Sequence, residues 1–281
     1  MDSKRRCFVY LLAVFALSSL MYYLIISRNA FRTLVLLLMW CPAVAALTTS
    51  LITGRSFDAI GWRLGNWKWL RLGYLFPLLY SVPAYVLVWI LGLGGFPDPR
   101  MLDRMRSLLH LSTQSSFLLV LIMLAATAVP GVLFGFIGAT GEEIGWRGLL
   151  VPELTNWVGF RRAAALSGVI WGLWHVPLIL ASPYSQSDTP RWYQVTCFFL
   201  LIVPAAVAFA WLRMQSKSIW PVVVFHSAHN AFVQEFFDNI TLNTGKTHYF
   251  TGEFGVAMLP FAALLAFYCW KRTPSDSEPN P

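Results

Sequence analysis

Residues 117–139 read FLLVLIMLAATAVPGVLFGFIGA, and residues 141–147 read GEEIGWR. The first stretch exceeds the length of about 20 mainly apolar residues that a helix needs to cross a bilayer. Glu142 and Glu143 follow it directly, where each ionisable side chain costs ~2.5–3.5 kcal/mol on insertion scales. Two like charges side by side add to this cost. The two glutamates therefore require either a partner that compensates their charge or a functional role, and they are the best indicator of function in this sequence.

The composition of the chain is that of a polytopic membrane protein. Of its 281 residues, 57% are hydrophobic and 12% are charged, and the mean hydropathy is +0.59, whereas soluble domains carry about 25% charged residues. The formal net charge of +8 does not indicate a nucleic-acid partner, because the basic residues are scattered between apolar stretches and are typical of topology signals. The four cysteines form no CxxC pair, which favours packing over a zinc or redox motif.

Hydropathy predicts an all-α fold with about eight transmembrane helices that enclose a polar site. The candidate spans are residues 8–26, 31–53, 73–95, 116–140, 163–182, 193–212, 218–236 and 254–270. They are continuous apolar runs without a two-residue period, which excludes a closed barrel. The first run follows a basic N-terminus, as in a signal peptide, but it is long and lacks a convincing cleavage site. We therefore predict that it is the first span.

The basic residues favour cytoplasmic termini. With the N-terminus inside, the predicted inside segments hold 14 Lys and Arg residues and the outside segments hold 7, in agreement with the positive-inside rule. The outside loop 96–115 contains three of these arginines, and its apolar residues have the spacing of an amphipathic surface helix. We divide the one membrane domain into three N-terminal spans with interfacial loops (1–115), a core (116–240), and a last span with a disordered polar tail (241–281).

The glutamate pair is the first of three polar constellations. Glu143 and Arg147 are four residues apart on one helix face, so we expect them to pair. Glu142 is rotated by about 100° and escapes that pairing. Taken alone, the group could also be an ion-paired helix end at the membrane surface.

The other two constellations are histidines in apolar helices. His175 ends the stretch WGLWH, and in HSAHN (226–230) His226 and Asn230 share a face while His229 points elsewhere. A single such histidine could be a hydrogen-bonded core residue. Three helices with buried polar groups favour one shared interior site instead.

Together, the patterns Glu-Glu-x-x-x-Arg, aromatic-x-x-x-His and His-x-x-x-Asn resemble the CAAX protease and bacteriocin-processing (CPBP) family, which includes the type II CAAX prenyl endopeptidases. The similar core runs from Phe117 to Phe236, and Trp171 stands where the family usually has Phe. The resemblance implies an intramembrane endopeptidase with eight spans.

The resemblance also implies a role for each site residue. Glu142 would act as the general base on a water molecule, and His175 would help to hold or polarise that water. His226 and Asn230 would stabilise the oxyanion, since an imidazole and an amide on one helix face can both donate to one developing negative oxygen. Glu143 with Arg147 would support the site.

A metal-dependent mechanism is an alternative that the sequence leaves open. Glu142, Glu143, His175 and His226 are suitable ligands for zinc or another divalent metal. The HExxH signature of zinc proteases is absent, however, so the spacing does not demonstrate a metal.

The alternative function is a non-catalytic membrane immunity, scaffold or binding protein, or a transporter that uses the same buried Glu and His residues. Transporters also bury such side chains, but they often contain inverted repeats, and we find no repeat. Every position of the three motifs is filled, which favours the enzyme. A rhomboid-type serine site would need Gly-x-Ser-Gly, whereas residues 165–168 read ALSG.

We expect the lipid bilayer as a partner and a peptide or a prenylated or otherwise lipidated protein as the substrate. In the predicted topology the polar groups lie in the inner halves of their spans. The site should therefore open to the cytoplasm, in a multi-pass protein of the cell membrane if the host is prokaryotic.

Overall fold

The computed structural model describes residues 1–110, 112–185 and 187–273, and within these residues the fold is all-α, as predicted. The helices are α1 (Ser3–Ser27), α2 (Phe31–Thr53), α3 (Trp67–Ile90), α4 (Pro99–Leu108), α5 (Ser116–Val158), α6 (Phe160–Ala181), α7 (Arg191–Ser216), α8 (residues 220–240) and α9 (Leu259–Lys271), with short 3-10 turns at Phe57–Ile60 and Thr247–Tyr249. Most of the predicted tail falls on residues 274–281, outside the described residues.

Six of the described helices are long and apolar enough to cross a membrane, namely α1, α2, α3, α5, α6 and α7. The chain is an integral membrane protein, but the predicted count of eight spans is not confirmed. The predicted seventh span corresponds to α8, whose polar side chains lower its hydropathy. The predicted eighth span corresponds to α9, which is apolar but has only 13 residues.

Helix α5 carries both glutamates and is longer than the predicted span. Its 43 residues correspond to about 65 Å at 1.5 Å per residue, so the helix continues well past residue 140, where the predicted span ends. Two π-helical segments lie within α5, at Thr127–Gly131 and at Ile144–Leu150. The second begins directly after Glu143, and π turns within helices often occur at functional sites.

Glycines bring α5 close to α1 and α2. A Cβ atom at Gly145 would lie 2.5 Å from the hydroxyl oxygen of Tyr10 and 2.6 Å from the carbonyl oxygen of Pro42. A Cβ atom at Gly141 would lie 2.7 Å from the carbonyl oxygen of Met39. Small residues permit such close helix packing in membranes, and here they fix the depth and rotation of the glutamate pair.

Both the start of α1 and the end of α9 lie at one end of the bundle, which we call the terminal end. Here the Nε of Arg55 donates to the Glu153 carboxylate at 2.7 Å, and Arg6 lies 3.5 Å from the other carboxylate oxygen. The guanidinium of Arg161 lies over the ring of Trp270. These contacts join α1, α2, α5, α6 and α9 and close the terminal end.

The opposite end, which we call the loop end, contains the connections after α1, α3, α6 and α8. Gly95 pairs with Leu242 through two backbone hydrogen bonds, and the backbone N–H of Asp98 donates to the carbonyl of Ile240. Helix α4 lies here, with the Asp98 side chain as its N-cap. The predicted amphipathic helix in loop 96–115 is thus confirmed.

Candidate active site

Glu143 and Arg147 form the predicted ion pair. Nη1 of Arg147 donates to the two carboxylate oxygens of Glu143 at 2.9 and 3.2 Å, and both side chains are fully buried. The guanidinium lies 4.0 Å from the ring centre of Trp171 and 4.2 Å from that of Phe209. These two rings, which meet edge to face, supply cation–π contacts.

Glu142 points away from this pair, as its helix position predicts. Its Oε2 accepts a hydrogen bond of 2.8 Å from the indole Nε1 of Trp171. Its Oε1 has no hydrogen bond to any described residue. This oxygen is nevertheless not fully enclosed by protein atoms. Because Glu142 lines the central cavity, Oε1 is accessible from that cavity.

Glu143 also binds a histidine on a different helix. Its Oε1 lies 2.8 Å from Nδ1 of His226 on α8. An ionised carboxylate can only accept, so Nδ1 of His226 is the donor and Nε2 is the ring nitrogen that remains. Nε2 of His226 has no hydrogen-bond partner among the described residues and is not fully enclosed by protein atoms. Because His226 lines the cavity, Nε2 is also accessible from it.

His175 is oriented by the backbone of its own helix. Its Nδ1 lies 2.9 Å from the carbonyl oxygen of Trp171, and a carbonyl can only accept. Nδ1 therefore carries the proton, and the lone pair of a neutral ring lies on Nε2. The rings of Trp174 and Phe198, at 4.8 and 5.0 Å between centroids, hold the imidazole in place.

Asn230 lies on the cavity wall one helical turn after His226. It is half-buried, and its amide makes no hydrogen bond within the described part of the chain. The amide is thus available to a ligand in the cavity.

The central cavity has a volume of about 970 Å³, and it separates the six predicted site residues into two sets. Glu142, His175, His226 and Asn230 line it, whereas Glu143 and Arg147 lie behind its wall. The arrangement exposes one carboxylate oxygen, two imidazole nitrogens and an amide to a common space. It is suited to acid–base chemistry on a bound water molecule.

The cavity extends to the loop end and not to the terminal end. Its lining includes residues 29–33, Arg104, residues 183–184 and residues 247–248, but no residue of the connections at the terminal end. We predicted cytoplasmic termini and a site open to the cytoplasm. These two predictions do not agree with each other in this structure, because the Arg55–Glu153 pair and its neighbours close the terminal end, and the membrane orientation itself stays a prediction.

A second polar cluster, which the sequence patterns do not indicate, lies farther along the cavity. Nδ1 of His229 lies 2.6 Å from the hydroxyl of Tyr80, and its Nε2 lies 2.8 Å from Oε1 of Glu253. Oε2 of Glu253 accepts a hydrogen bond of 2.9 Å from the hydroxyl of Tyr184, whose ring packs on His175 at 5.9 Å. A glutamate just before the short apolar helix α9 was the available signal in the sequence.

Glu253 lies between α8 and α9, outside the spanning helices. Burial raises the pKa of its carboxyl, but the hydrogen bond and charge of His229, together with His175 and the Tyr184 hydroxyl, lower it to about 2. Glu253 is therefore a carboxylate at neutral pH. It anchors the segment before α9 to the wall of the cavity.

The four residues proposed as metal ligands do not form a ligand set in the structure. Among the described residues, no group of three or more His, Cys, Asp or Glu side chains is placed to hold a metal ion. The oxygens of Glu143 already bind Arg147 and His226. A metal centre at this site stays an untested prediction, and the chemistry proposed below does not use one.

The part of the chain that contains the six predicted site residues is similar to known proteins. Residues 117–232 match a family described as "Type II CAAX prenyl endopeptidase Rce1-like", and this range includes all six predicted site residues. A relative named "CAAX prenyl protease 2", from Methanococcus maripaludis, is 34% identical over 102 residues, which are 35% of this chain and 37% of the relative. The chain thus spans little more than a third of the length of that relative. Tyr80 and Glu253 lie outside the matched range.

Proposed function

We propose that this chain, whose residues 117–232 match the Rce1-like family, is an intramembrane endopeptidase. Its substrate would be a membrane-associated or lipidated peptide or protein, with a prenylated CAAX tail as the first candidate. The observation that carries the proposal is the separation of the two glutamates. Glu142 presents a free oxygen to the cavity, while Glu143 neutralises Arg147 and orients His226 behind it.

The proposed reaction begins with a water molecule between Glu142 and His175. Nε2 of His175 accepts one hydrogen bond from the water, and Oε1 of Glu142 removes a proton as the water oxygen attacks the scissile carbonyl carbon. The electron pair of the carbonyl moves to its oxygen, which becomes the oxyanion. When the tetrahedral intermediate collapses, the C–N bond breaks and Glu142 returns the proton to the leaving amine.

His226 and Asn230 would stabilise the oxyanion. The Asn230 amide donates directly, and Nε2 of His226 donates when the ring carries both protons. The carboxylate of Glu143 at Nδ1 favours that cationic ring. Loss of one preorganised oxyanion donor typically costs about 10²–10³-fold in kcat, so we expect losses of that order for Asn230→Ala.

The test is cleavage of a farnesylated peptide with a CAAX terminus by the full-length protein in liposomes. We expect cleavage by the wild type and a loss of at least about 100-fold in Glu142→Gln, the typical size of a general-base contribution, with unchanged thermal stability in detergent. Equal fragment patterns from both proteins would contradict the assignment. Binding of the peptide without cleavage by the wild type would instead support the non-catalytic binding protein.

Metal dependence is tested in the same assay. Because every proposed step uses only side chains and water, we expect activity to persist after dialysis against a chelator, with no stoichiometric metal found by elemental analysis. Loss of activity that zinc restores would assign a metal to the site and overturn this mechanism.

A further inference from the structure

Trp171 contacts four of the six candidate site residues. Its indole N–H donates to Glu142 at 2.8 Å, its ring face lies 4.0 Å from the Arg147 guanidinium, and its carbonyl oxygen binds His175 at 2.9 Å. Its ring also meets the ring of His226 edge to face, at 5.5 Å between centroids. Trp171 itself is 4% exposed and lines the cavity.

Within the described residues, the Glu142 carboxylate accepts one hydrogen bond, and the Trp171 indole N–H donates it. A glutamate side chain has several rotatable bonds, so without this contact the carboxylate could leave its position at the cavity. With Oε2 held by the indole, Oε1 is the oxygen that faces the cavity. The contact thus selects which carboxylate oxygen can take a proton.

The ring of Trp171 also presents its face to the Arg147 guanidinium, while the N–H at its edge donates to the Glu142 carboxylate. Nε and Nη2 of Arg147 are buried and have no hydrogen-bond partner among the described residues. These N–H groups would attract a second carboxylate, since a buried donor without a partner is costly. If Glu142 moved to fill that need, it would be withdrawn from the cavity.

We propose that Trp171 is a positioning residue for the general base, because its indole N–H fixes Oε2 of Glu142 beside the cavity. The inference rests on the proposed function of Glu142. It assigns a specific chemical task to the indole nitrogen, which no phenylalanine at this position could perform. The proposal also distinguishes the N–H, which binds Glu142, from the ring, which packs on Arg147.

The substitution Trp171→Phe keeps an aromatic ring beside Arg147 and removes the donor. We expect kcat on the farnesylated CAAX peptide to fall about 10- to 100-fold, the loss corresponding to one hydrogen bond to a charged group, with KM changed less than threefold. Replacement of Trp171 by benzothienylalanine, which has the same ring size without the N–H, should give the same loss. A kcat within twofold of the wild type in both proteins would overturn the proposal.

The matched control is Trp211→Phe. Trp211 is a buried tryptophan of α7 whose indole N–H has no hydrogen-bond partner within the described residues, and it does not line the cavity. We expect both Phe variants to lower thermal stability by similar amounts, and only the change at residue 171 to lower kcat. A loss of kcat that follows thermal stability equally in both variants would show a structural role and would also overturn the proposal.

A second measurement does not depend on activity. In protein labelled with ¹⁵N-tryptophan in detergent micelles, the indole N–H resonance that disappears in Trp171→Phe should move in Glu142→Ala, while the Trp211 resonance stays in place. An unmoved Trp171 resonance would overturn the proposal. A wild type that cleaves no peptide would count against the proposed function alone, and the resonance would still decide whether Trp171 holds Glu142.

Discussion

At the scale of single residues, the adjacent glutamates have opposite electrostatic surroundings. Glu143 is fully buried, and its charge is met by Arg147 and by the His226 imidazole. Glu142 is bound by one neutral N–H donor and otherwise faces the cavity. Buried ion pairs add little net stability, but removal of one partner leaves an uncompensated charge that costs about 3–5 kcal/mol. Identical substitutions at the two positions should therefore have different consequences.

The first prediction compares Glu142→Gln with Glu143→Gln. We expect Glu143→Gln to lower the melting temperature in detergent strongly, because it leaves Arg147 charged in a fully buried position, at a cost of about 3–5 kcal/mol. Glu142→Gln should change the free energy of unfolding by less than about 1 kcal/mol, because the amide oxygen of Gln still accepts a hydrogen bond from Trp171. Its melting temperature should therefore stay close to that of the wild type. Thermal unfolding of both purified variants checks this. Equal melting temperatures would show that Arg147 does not depend on the Glu143 charge.

The sequence was sufficient for some of these contacts and not for others. The Glu143–Arg147 pair follows from a four-residue spacing within one helix, which any helical geometry preserves approximately. The Glu143–His226 contact joins α5 to α8, and the Trp171–Glu142 contact joins α6 to α5. Both depend on how separate helices pack, and a single sequence does not reveal that packing. The same reason explains why Glu253 was missed.

At the scale of helices, α5 shows why the predicted boundaries failed. Hydropathy ends the predicted span where charges begin, yet the helix continues to Val158 because Glu143 and Glu153 each have a buried cationic partner. Conversely, α8 was predicted as a span, but its cavity face carries several polar side chains. Hydropathy counts charges along the chain and does not include the tertiary contacts that neutralise them.

The second prediction concerns the close contact of α5 with α1 and α2. Gly145→Ala should destabilise the fold, because its methyl group would overlap the Tyr10 hydroxyl and Pro42, and overpacking of this kind costs about 1–3 kcal/mol. The matched control is Gly131→Ala in the other π segment, where the nearest atom would be the Ala126 carbonyl oxygen at 3.4 Å. Melting temperatures in detergent should fall for Gly145→Ala and stay near the wild type for Gly131→Ala. The reverse order would contradict the packing.

The third prediction concerns the segment that Glu253 anchors. Glu253→Gln should lower the melting temperature at pH 7, because a hydrogen bond to a charged group contributes about 1.5–3 kcal/mol. The pKa of Glu253 in the fold is about 2, below its ordinary value of 4.5. The carboxylate therefore contributes its stability above about pH 4.5, and this contribution is lost as the pH falls toward 2.

Melting curves at several pH values check that sign. The difference between the melting temperatures of wild type and Glu253→Gln should decrease below pH 4.5, as the carboxylate takes up its proton. Asp103→Asn is a suitable control, because Asp103 is an exposed carboxylate of α4 whose ion pair, with Arg106, lies at the surface. A difference at Glu253 that grew as the pH fell would contradict a lowered pKa.

At the scale of the whole molecule, the two ends of the bundle have different roles. The terminal end is closed by ion pairs and by contacts of Arg213 with the carbonyls of Arg147, Ala59 and Ile60. The loop end contains the mouth of the cavity, with exposed Asn29 and Arg32 at its edge. Within the described residues, the cavity is therefore reached from the side opposite the termini or from the bilayer. This geometry makes cytoplasmic termini and a cytoplasmic mouth mutually exclusive.

The last prediction tests this geometry with two Ser→Cys variants. Ser56 lies at the terminal end and Ser27 at the loop end, and both are exposed, whereas the four native cysteines are buried. A membrane-impermeant maleimide should label Cys at 56 and Cys at 27 from opposite faces of the membrane in right-side-out and inverted vesicles. Labelling from the same face would contradict the bundle. The face that carries position 27 also tests the proposed substrate. Labelling of position 27 from the cytoplasmic face would agree with a lipidated tail made in the cytoplasm, whereas labelling from the external face, which the excess of basic residues at the terminal end favours, would count against that tail and for an exported peptide.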